Sequence, residues 1–300
     1  MVPAGISSNG MYFALFNGLT IIRMAVGRII LTTGFAALLL LSFGGCNRCK
    51  PLPAESDTNA SPAPARVPGI AKDLVAQWTC DEGAGLIIND NTYHAFDLTM
   101  EGDVRWIPAD QGGYALRFNP SGMAFSRTPE ILRSLSSLHE GTISLWFYYR
   151  GISGDQKIAP LLYFGEEDAA KRQNYLVIEI GHPENEYLYF TIARGGRILQ
   201  CFDSNVTIEK NRWYHFAAVV GPGGNTGYLD GVELTNRHYN FGRPGDTEFF
   251  GTVGIPDMFT LGFGTTGIDD RFESHSGSMD DIAVFDRALS SEEIRELFQR

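Results

Sequence analysis

The chain has 300 residues, is 44% hydrophobic and contains 34 glycines, a composition that suits a turn-rich globular fold and excludes a disordered chain. A formal net charge of −11 excludes a surface built to grip nucleic-acid phosphates, which needs clustered Lys and Arg. Four cysteines, at positions 46, 49, 80 and 201, are too few for a disulfide-framed scaffold.

The first features in chain order are export signals. Residues 29–41 read IILTTGFAALLLL, with Arg23 and Arg28 before them and Cys46 after. A basic flank, a short apolar run and small residues ahead of a cysteine form a secretion signal. The run is shorter than the roughly 20 apolar residues that span a bilayer comfortably. The segment Ser42-Phe43-Gly44-Gly45-Cys46 resembles a bacterial lipobox, with Phe43 where Leu is usual. Residues 1–46 are therefore expected to be a signal peptide ending in a lipidated Cys46, or an uncleaved N-terminal membrane anchor, with Met24 as an alternative start. Both readings place the remainder outside the cytoplasm and attached to a membrane. Residues 47–71 are rich in Pro, Ala and Ser and read as a flexible linker.

From residue 72 to 300 the pattern is that of one domain without internal repeats. Helical periodicity is weak over Pro129–Leu138. Strand signals dominate: TISLWFYYR (142–150) alternates with Ile143, Leu145, Phe147 and Tyr149 on one side, and YLVIEI (175–180) and YLYFTI (187–192) alternate likewise. WYHFAAVV (213–220) is apolar on both sides, as a central sandwich strand should be, and GYLDGVEL (227–234) is a hairpin turning at Asp230-Gly231. At the C-terminus Ile282, Val284 and Phe285 make a final strand. Ser290 and Glu293 form a capping box, Leu289 and Ile294 a hydrophobic staple, and Ile294, Leu297 and Phe298 an apolar stripe. This helix is expected to seal the sandwich where the last strand ends. The fold class is all-β, two antiparallel sheets packed face to face with a short C-terminal helix.

The segments VAQWTCDEGAG (75–85), GTISLWFYYRG (141–151), RWYHFAAVVGPGGNTGYLDGVEL (212–234) and GSMDDIAVFDRALSSEEIREL (277–297) resemble the laminin-G-like, concanavalin A-like jelly-roll family. The resemblance implies a jelly roll of about a dozen strands that binds carbohydrate or protein ligands, with first and last strands adjacent. It also implies a structural Ca²⁺ at that seam, held by Asp81, Asp90 and Asp280, since a hard cation takes six to eight oxygens. Adjacent Asp280 and Asp281 can face one site only if a bulge intervenes, and the loop after Asp90 lacks the Gly-rich run common in the family. The alternative is that both acids cap turns or pair with Arg271 and Arg287.

Retaining glycosidases need two carboxyls ~5–5.5 Å apart. Glu179 stands alone on its strand, flanked on its own face by Val177 and Gly181, so the chain reads as a binding module and not an enzyme, the alternatives being a polysaccharide hydrolase or lyase with an unfamiliar site and a structural envelope protein. Candidate ligand-binding residues are Trp146 and Tyr148 on one strand face, Tyr187 and Tyr189 on another, and Arg243 in the long segment Asn236–Asp257. In a two-sheet sandwich such rings more often fill the core. Outside the cytoplasm Cys80 and Cys201 could pair or remain buried thiols. The partners expected are a glycan or a cell-surface protein and, through the N-terminal segment, a membrane, but no nucleic acid.

Overall fold

The computed structural model describes residues 73–299, apart from 110–111, 153, 169–172, 182–183 and 267–270. The expected signal and lipidation site at Cys46 and the linker 47–71 lie outside the described residues. No helix among the described residues is long and apolar enough to cross a membrane.

Strands β1 (Leu74–Trp78), β2 (Ile87–Ile88), β3 (Leu98–Glu101), β4 (Val104–Pro108), β5 (Tyr114–Phe118) and β6 (Met123–Ser126) precede helix α1 (Pro129–Ser136). The middle is a run of long strands, β7 (Gly141–Tyr149), β8 (Ile158–Gly165), β9 (Tyr175–Gly181), β10 (Tyr187–Arg194), β11 (Arg197–Thr207) and β12 (Arg212–Gly221). Shorter strands follow: β13 (Gly224–Leu229), β14 (Val232–Glu233), β15 (His238–Phe241), β16 (Met258–Leu261), β17 (Phe263–Gly264) and β18 (Glu273–Ser274). The chain closes with β19 (Gly277–Phe285) and helix α2 (Ser291–Phe298).

These strands form two large antiparallel sheets. The β7 sheet has the order β14-β13-β12-β7-β19-β5-β4, with β1 also paired to β19, and the β10 sheet has the order β15-β11-β10-β9-β8-β16-β6-β3-β2. Alternation decides which residues meet between them. Ile143, Leu145, Phe147 and Tyr149 of β7 face Leu176, Ile178, Leu188 and Phe190 of the other sheet in one buried core. Trp78 and Phe259 meet across the sandwich with ring centres 5.2 Å apart. The Asp230-Gly231 hairpin turn forms as expected, with φ of 50° and 73° at the two central residues, the left-handed pair that a two-residue hairpin requires.

The segment Asn236–Asp257, read from sequence as a long loop, instead contributes the edge strand β15 and buries Phe249, Phe250 and Val253. The C-terminal helix has its capping box: Ser290 Oγ accepts from the Glu293 N–H at 3.3 Å, and Glu293 accepts from the Ser290 N–H at 2.9 Å. The Arg287 guanidinium forks onto Glu293 at 2.7 and 2.8 Å, which holds that carboxyl down at about 2, and also reaches Asp73 at 2.8 Å. The helix differs from expectation in its position. Leu289, Ile294 and Leu297 pack on Ala217, Val219, Ala283 and Phe285, so α2 covers the outer face of the β7 sheet rather than the end of the sandwich. The reason is that these small and apolar outward residues would otherwise leave an exposed apolar patch.

Candidate functional site

The first and last strands pair, as β1 with β19, and the acids meet at a discontinuity in β19. Its residues Gly277–Met279 pair with β5 and Ile282–Phe285 with β1, with a bulge between Asp280 and Ala283. Asp281 there takes φ 46°, and its N–H donates to Asp280 Oδ1 at 3.0 Å. Gly113, at φ 83°, allows the chain close to Asp81, where a Cβ would lie 1.9 Å from Oδ1. Asp90 is occupied otherwise: its Oδ1 accepts from the N–H groups of Gln77 and Thr92, and its Oδ2 from the Thr92 hydroxyl and the Phe96 N–H. The acids that act on Asp280 are therefore Asp281 and Asp81, not Asp90. Among the described residues no three His, Cys, Asp or Glu side chains are grouped as metal ligands. The alternative partners also fall elsewhere, since Arg271 pairs with Asp155 and Glu273, and Arg287 with Asp73 and Glu293.

Burial, then the charge of Asp281, pushes the Asp280 carboxyl well above the usual range. A raised pKa in the folded state gives stability that is full below the unfolded value and lost as pH rises through the folded one. Asp280→Asn is accordingly expected to raise the melting temperature at pH 7 and to leave it unchanged near pH 3. Millimolar calcium in the same melts tests for a cation at the bulge: a rise in the parent protein that is lost in Asp280→Asn would establish it, and no rise would remove it.

Among the described residues, the outer face of the β7 sheet shows no open aromatic platform. Trp146 is half-buried beneath Phe298 of α2, with ring centres 5.6 Å apart, and Tyr148 is buried beside Trp213 at 5.7 Å. His215 lies under the same cover, its Nε2 paired with Ser144 Oγ at 2.8 Å, and burial pushes its pKa down to about 3. Arg243 is exposed and organises its own turn, bonding Asp246 through its N–H at 2.9 Å and its guanidinium at 3.2 Å. The Cys80–Cys201 disulfide is not formed. Both are buried free thiols, Cys80 in the core after β1 and Cys201 on the outer face of the β10 sheet.

That second outer face holds a partly enclosed cavity of about 150 Å³. Strand register assembles it. One cross-strand row runs Glu179–Tyr189–Asp203 over β9, β10 and β11, and the next runs Val177–Thr191–Cys201–Phe241 out to β15. Tyr175, Ile198, Asn240 and Thr266 complete the lining. Glu179 is 4% exposed, and its Oε2 is buried without a hydrogen-bond partner among the described residues. Burial, then the charge of Glu273, pushes its pKa up to about 8, so the carboxyl is predominantly protonated at neutral pH. Glu273 is itself committed to the N–H groups of Lys157 and Ile158 at 2.8 and 2.6 Å and to Arg271 at 3.0 Å.

Of the aromatic candidates named from sequence, Tyr189 lines this cavity, and Tyr187 sits half-buried on the same strand face. Tyr175, Thr191, Asn240 and Phe241 were not singled out from the sequence because cross-strand register brings them together around the cavity, and a single sequence does not carry register between strands. Wider clefts of about 400 and 330 Å³ flank α1, but among the described residues neither is lined by a buried unpartnered polar atom.

The sequence matches the family model of the concanavalin A-like lectin/glucanases superfamily over residues 120–295. No curated protein matches the sequence. Solved structures share the fold at low identity. Domain 4 of AbnA, an extracellular arabinanase from Geobacillus stearothermophilus solved with arabinotriose, superposes with a TM-score of 0.54 at 18% identity, covering 76% of this chain and 98% of that one. The CBM40 of a Ruminococcus gnavus IT-sialidase, bound to α2,3-sialyllactose, gives 0.50 at 13% identity over 61% and 96%. The binding domain of botulinum neurotoxin DC, in complex with rat synaptotagmin II, gives 0.55 at 13% over 77% and 52%.

Proposed function

The chain belongs to the concanavalin A-like lectin/glucanase superfamily, and on that premise we propose that it is a non-catalytic, extracytoplasmic module that binds carbohydrate and is held to a membrane by its N-terminal segment. The carrying observation is the cavity on the β10 sheet, which is lined by the aromatic residues Tyr175, Tyr189 and Phe241 together with the polar residues Glu179, Thr191 and Asn240. Aromatic faces stack on the apolar CH surfaces of a sugar, and a few convergent polar groups fix its orientation. Similar folds solved with arabinotriose and sialyllactose support a glycan ligand, and the complex with synaptotagmin supports a protein as the second reading. The commitment of Glu273 to two N–H groups and Arg271 supports a binding role over hydrolysis, because no second free carboxyl accompanies Glu179 among the lining residues.

A glycan array probed with the full-length protein, followed by calorimetry on the best hit, tests the reading. Tyr189→Ala is expected to weaken binding about tenfold, in line with ~0.5–1.5 kcal/mol for a stacking ring plus its lost area. An array without hits, or full affinity in Tyr189→Ala, would sink the assignment to this cavity.

A further inference from the structure

Three of the donors that line the cavity are committed to its own wall. The Tyr175 hydroxyl donates to Thr266 O, the Thr191 hydroxyl donates to Cys201 Sγ at 3.3 Å, and Asn240 Nδ2 donates to Asp203 Oδ2 at 2.9 Å. Those donors are spent inside the wall. Glu179 Oε2 remains, buried and without a partner among the described residues, together with the lone pairs of the two hydroxyls. No Lys, Arg or His belongs to the lining, and three aromatic rings do. A space with a buried, unpartnered carboxyl oxygen, aromatic faces and no cation among its lining residues is complementary to a ligand that brings positive charge and N–H donors.

We propose that this cavity binds a primary ammonium group, with Glu179 as its counter-ion and the rings of Tyr175, Tyr189 and Phe241 around it. The inference rests on the cavity being a ligand site and narrows the ligand to an amine, carried by an amino sugar or by an alkyl chain. Size sets a further limit. A space of about 150 Å³ holds one benzene-sized ring, so a single six-membered ring enters and a disaccharide does not.

The proton balance is definite. At neutral pH the Glu179 carboxyl of the unliganded protein is predominantly protonated. The ammonium N–H replaces that proton as the donor to Oε2, and the carboxyl proton passes to solvent. The ionisable groups that face Glu179 are Tyr175 on β9, Tyr189 on β10, Cys201 and Asp203 on β11 and Glu273 on β18. The basic side chains beside these acids are His238, at 3.2 Å from Asp203, and Arg271, at 3.0 Å from Glu273. Neither of them is among the residues that line the cavity. Binding therefore releases one proton and tightens as pH rises towards that of Glu179.

Calorimetry on the full-length protein with cyclohexylammonium and cyclohexanol tests this, because the pair shares one ring and differs in charge. A lysine-like amine, of pKa about 10.4, keeps its charge throughout the range used. The ammonium is expected to bind at least tenfold more tightly than the alcohol at pH 7 and to gain about tenfold from pH 6 to pH 7. In Glu179→Gln, checked by melting to be folded, that preference disappears. Equal affinity for the two probes, a flat pH profile or an unaltered preference in Glu179→Gln would overturn the proposal. Glucosamine against glucose at pH 7 identifies the source: glucosamine binding more tightly than cyclohexylammonium points to an amino sugar, and the reverse to an alkyl amine. The two readings fail separately. Glucose bound as well as glucosamine would leave the carbohydrate module and remove the ammonium site, whereas ammonium binding with no array hit would do the opposite.

Discussion

Glu179→Gln is expected to raise the stability of the protein by about 5 kcal/mol at pH 9 and to leave it nearly unchanged at pH 4. The sign follows from the direction in which Glu179 is displaced. Its pKa rises from 4.5 to about 8 on folding, because burial and then the charge of Glu273 disfavour the anion. Its contribution to stability is thus complete below pH 4.5 and is lost progressively as pH climbs through 8. Each pH unit in that window costs about 1.4 kcal/mol. Gln fills the same space and carries no charge, so the variant escapes the loss. For a chain of this size a kilocalorie moves the melting temperature by about 2–4 °C, and the variant should melt roughly 10 °C above the parent at pH 9. Melts of both proteins at pH 4, 7 and 9 would check it, and a parent whose melting temperature stays level from pH 5 to 9 would show that the Glu179 anion is accommodated in the fold.

Trp78→Ala is expected to cost about 3–5 kcal/mol, the usual range for deleting a large buried aromatic side chain. Trp78 is fully buried at the end of β1, stacks on Phe259 of the opposite sheet, and donates from Nε1 to the Phe96 carbonyl at 2.9 Å. Alanine would remove the contact between the sheets and leave that carbonyl without its donor. Trp78→Phe keeps most of the ring volume and loses the hydrogen bond, so it should cost less than half as much. Urea unfolding of the two variants separates packing from hydrogen bonding. A loss below 1 kcal/mol in Trp78→Ala would mean that the sheets close over the space.

The two predictions bear on different parts of the molecule. Trp78 belongs to the scaffold, and its removal should lower stability at every pH. Glu179 belongs to the cavity, and its replacement should raise stability in alkali while abolishing the amine preference.

Much of the scaffold was legible in the sequence because it is encoded locally. Alternation in TISLWFYYR and YLYFTI sorted inner from outer residues correctly, Asp230-Gly231 specified its turn, and Ser290 with Glu293 specified a helix start. Each of these signals acts within a few residues, over hydrogen bonds and side-chain directions that the local backbone decides. The bulge at Asp280-Asp281 was foreseen only as a condition for the two acids to share a site. It exists because β19 changes partners from β5 to β1 at that point.

The cavity was decided by tertiary structure. Glu179 was visible as a lone acid and Tyr189 as a lone ring, but their neighbourhood depends on β9, β10, β11 and β15 pairing in one register, and a shift of a single residue would turn every one of these side chains to the opposite face. The separation of Cys80 from Cys201, the burial of Trp146 under Phe298 and the turning of Asn236–Asp257 into an edge strand have the same origin. The sequence by itself determined the class of fold, the faces of its strands and the capped final helix, since these follow from periodicity and local hydrogen bonding. Only the folded chain decided which outward residues meet, because those contacts join segments tens of residues apart and depend on register and packing.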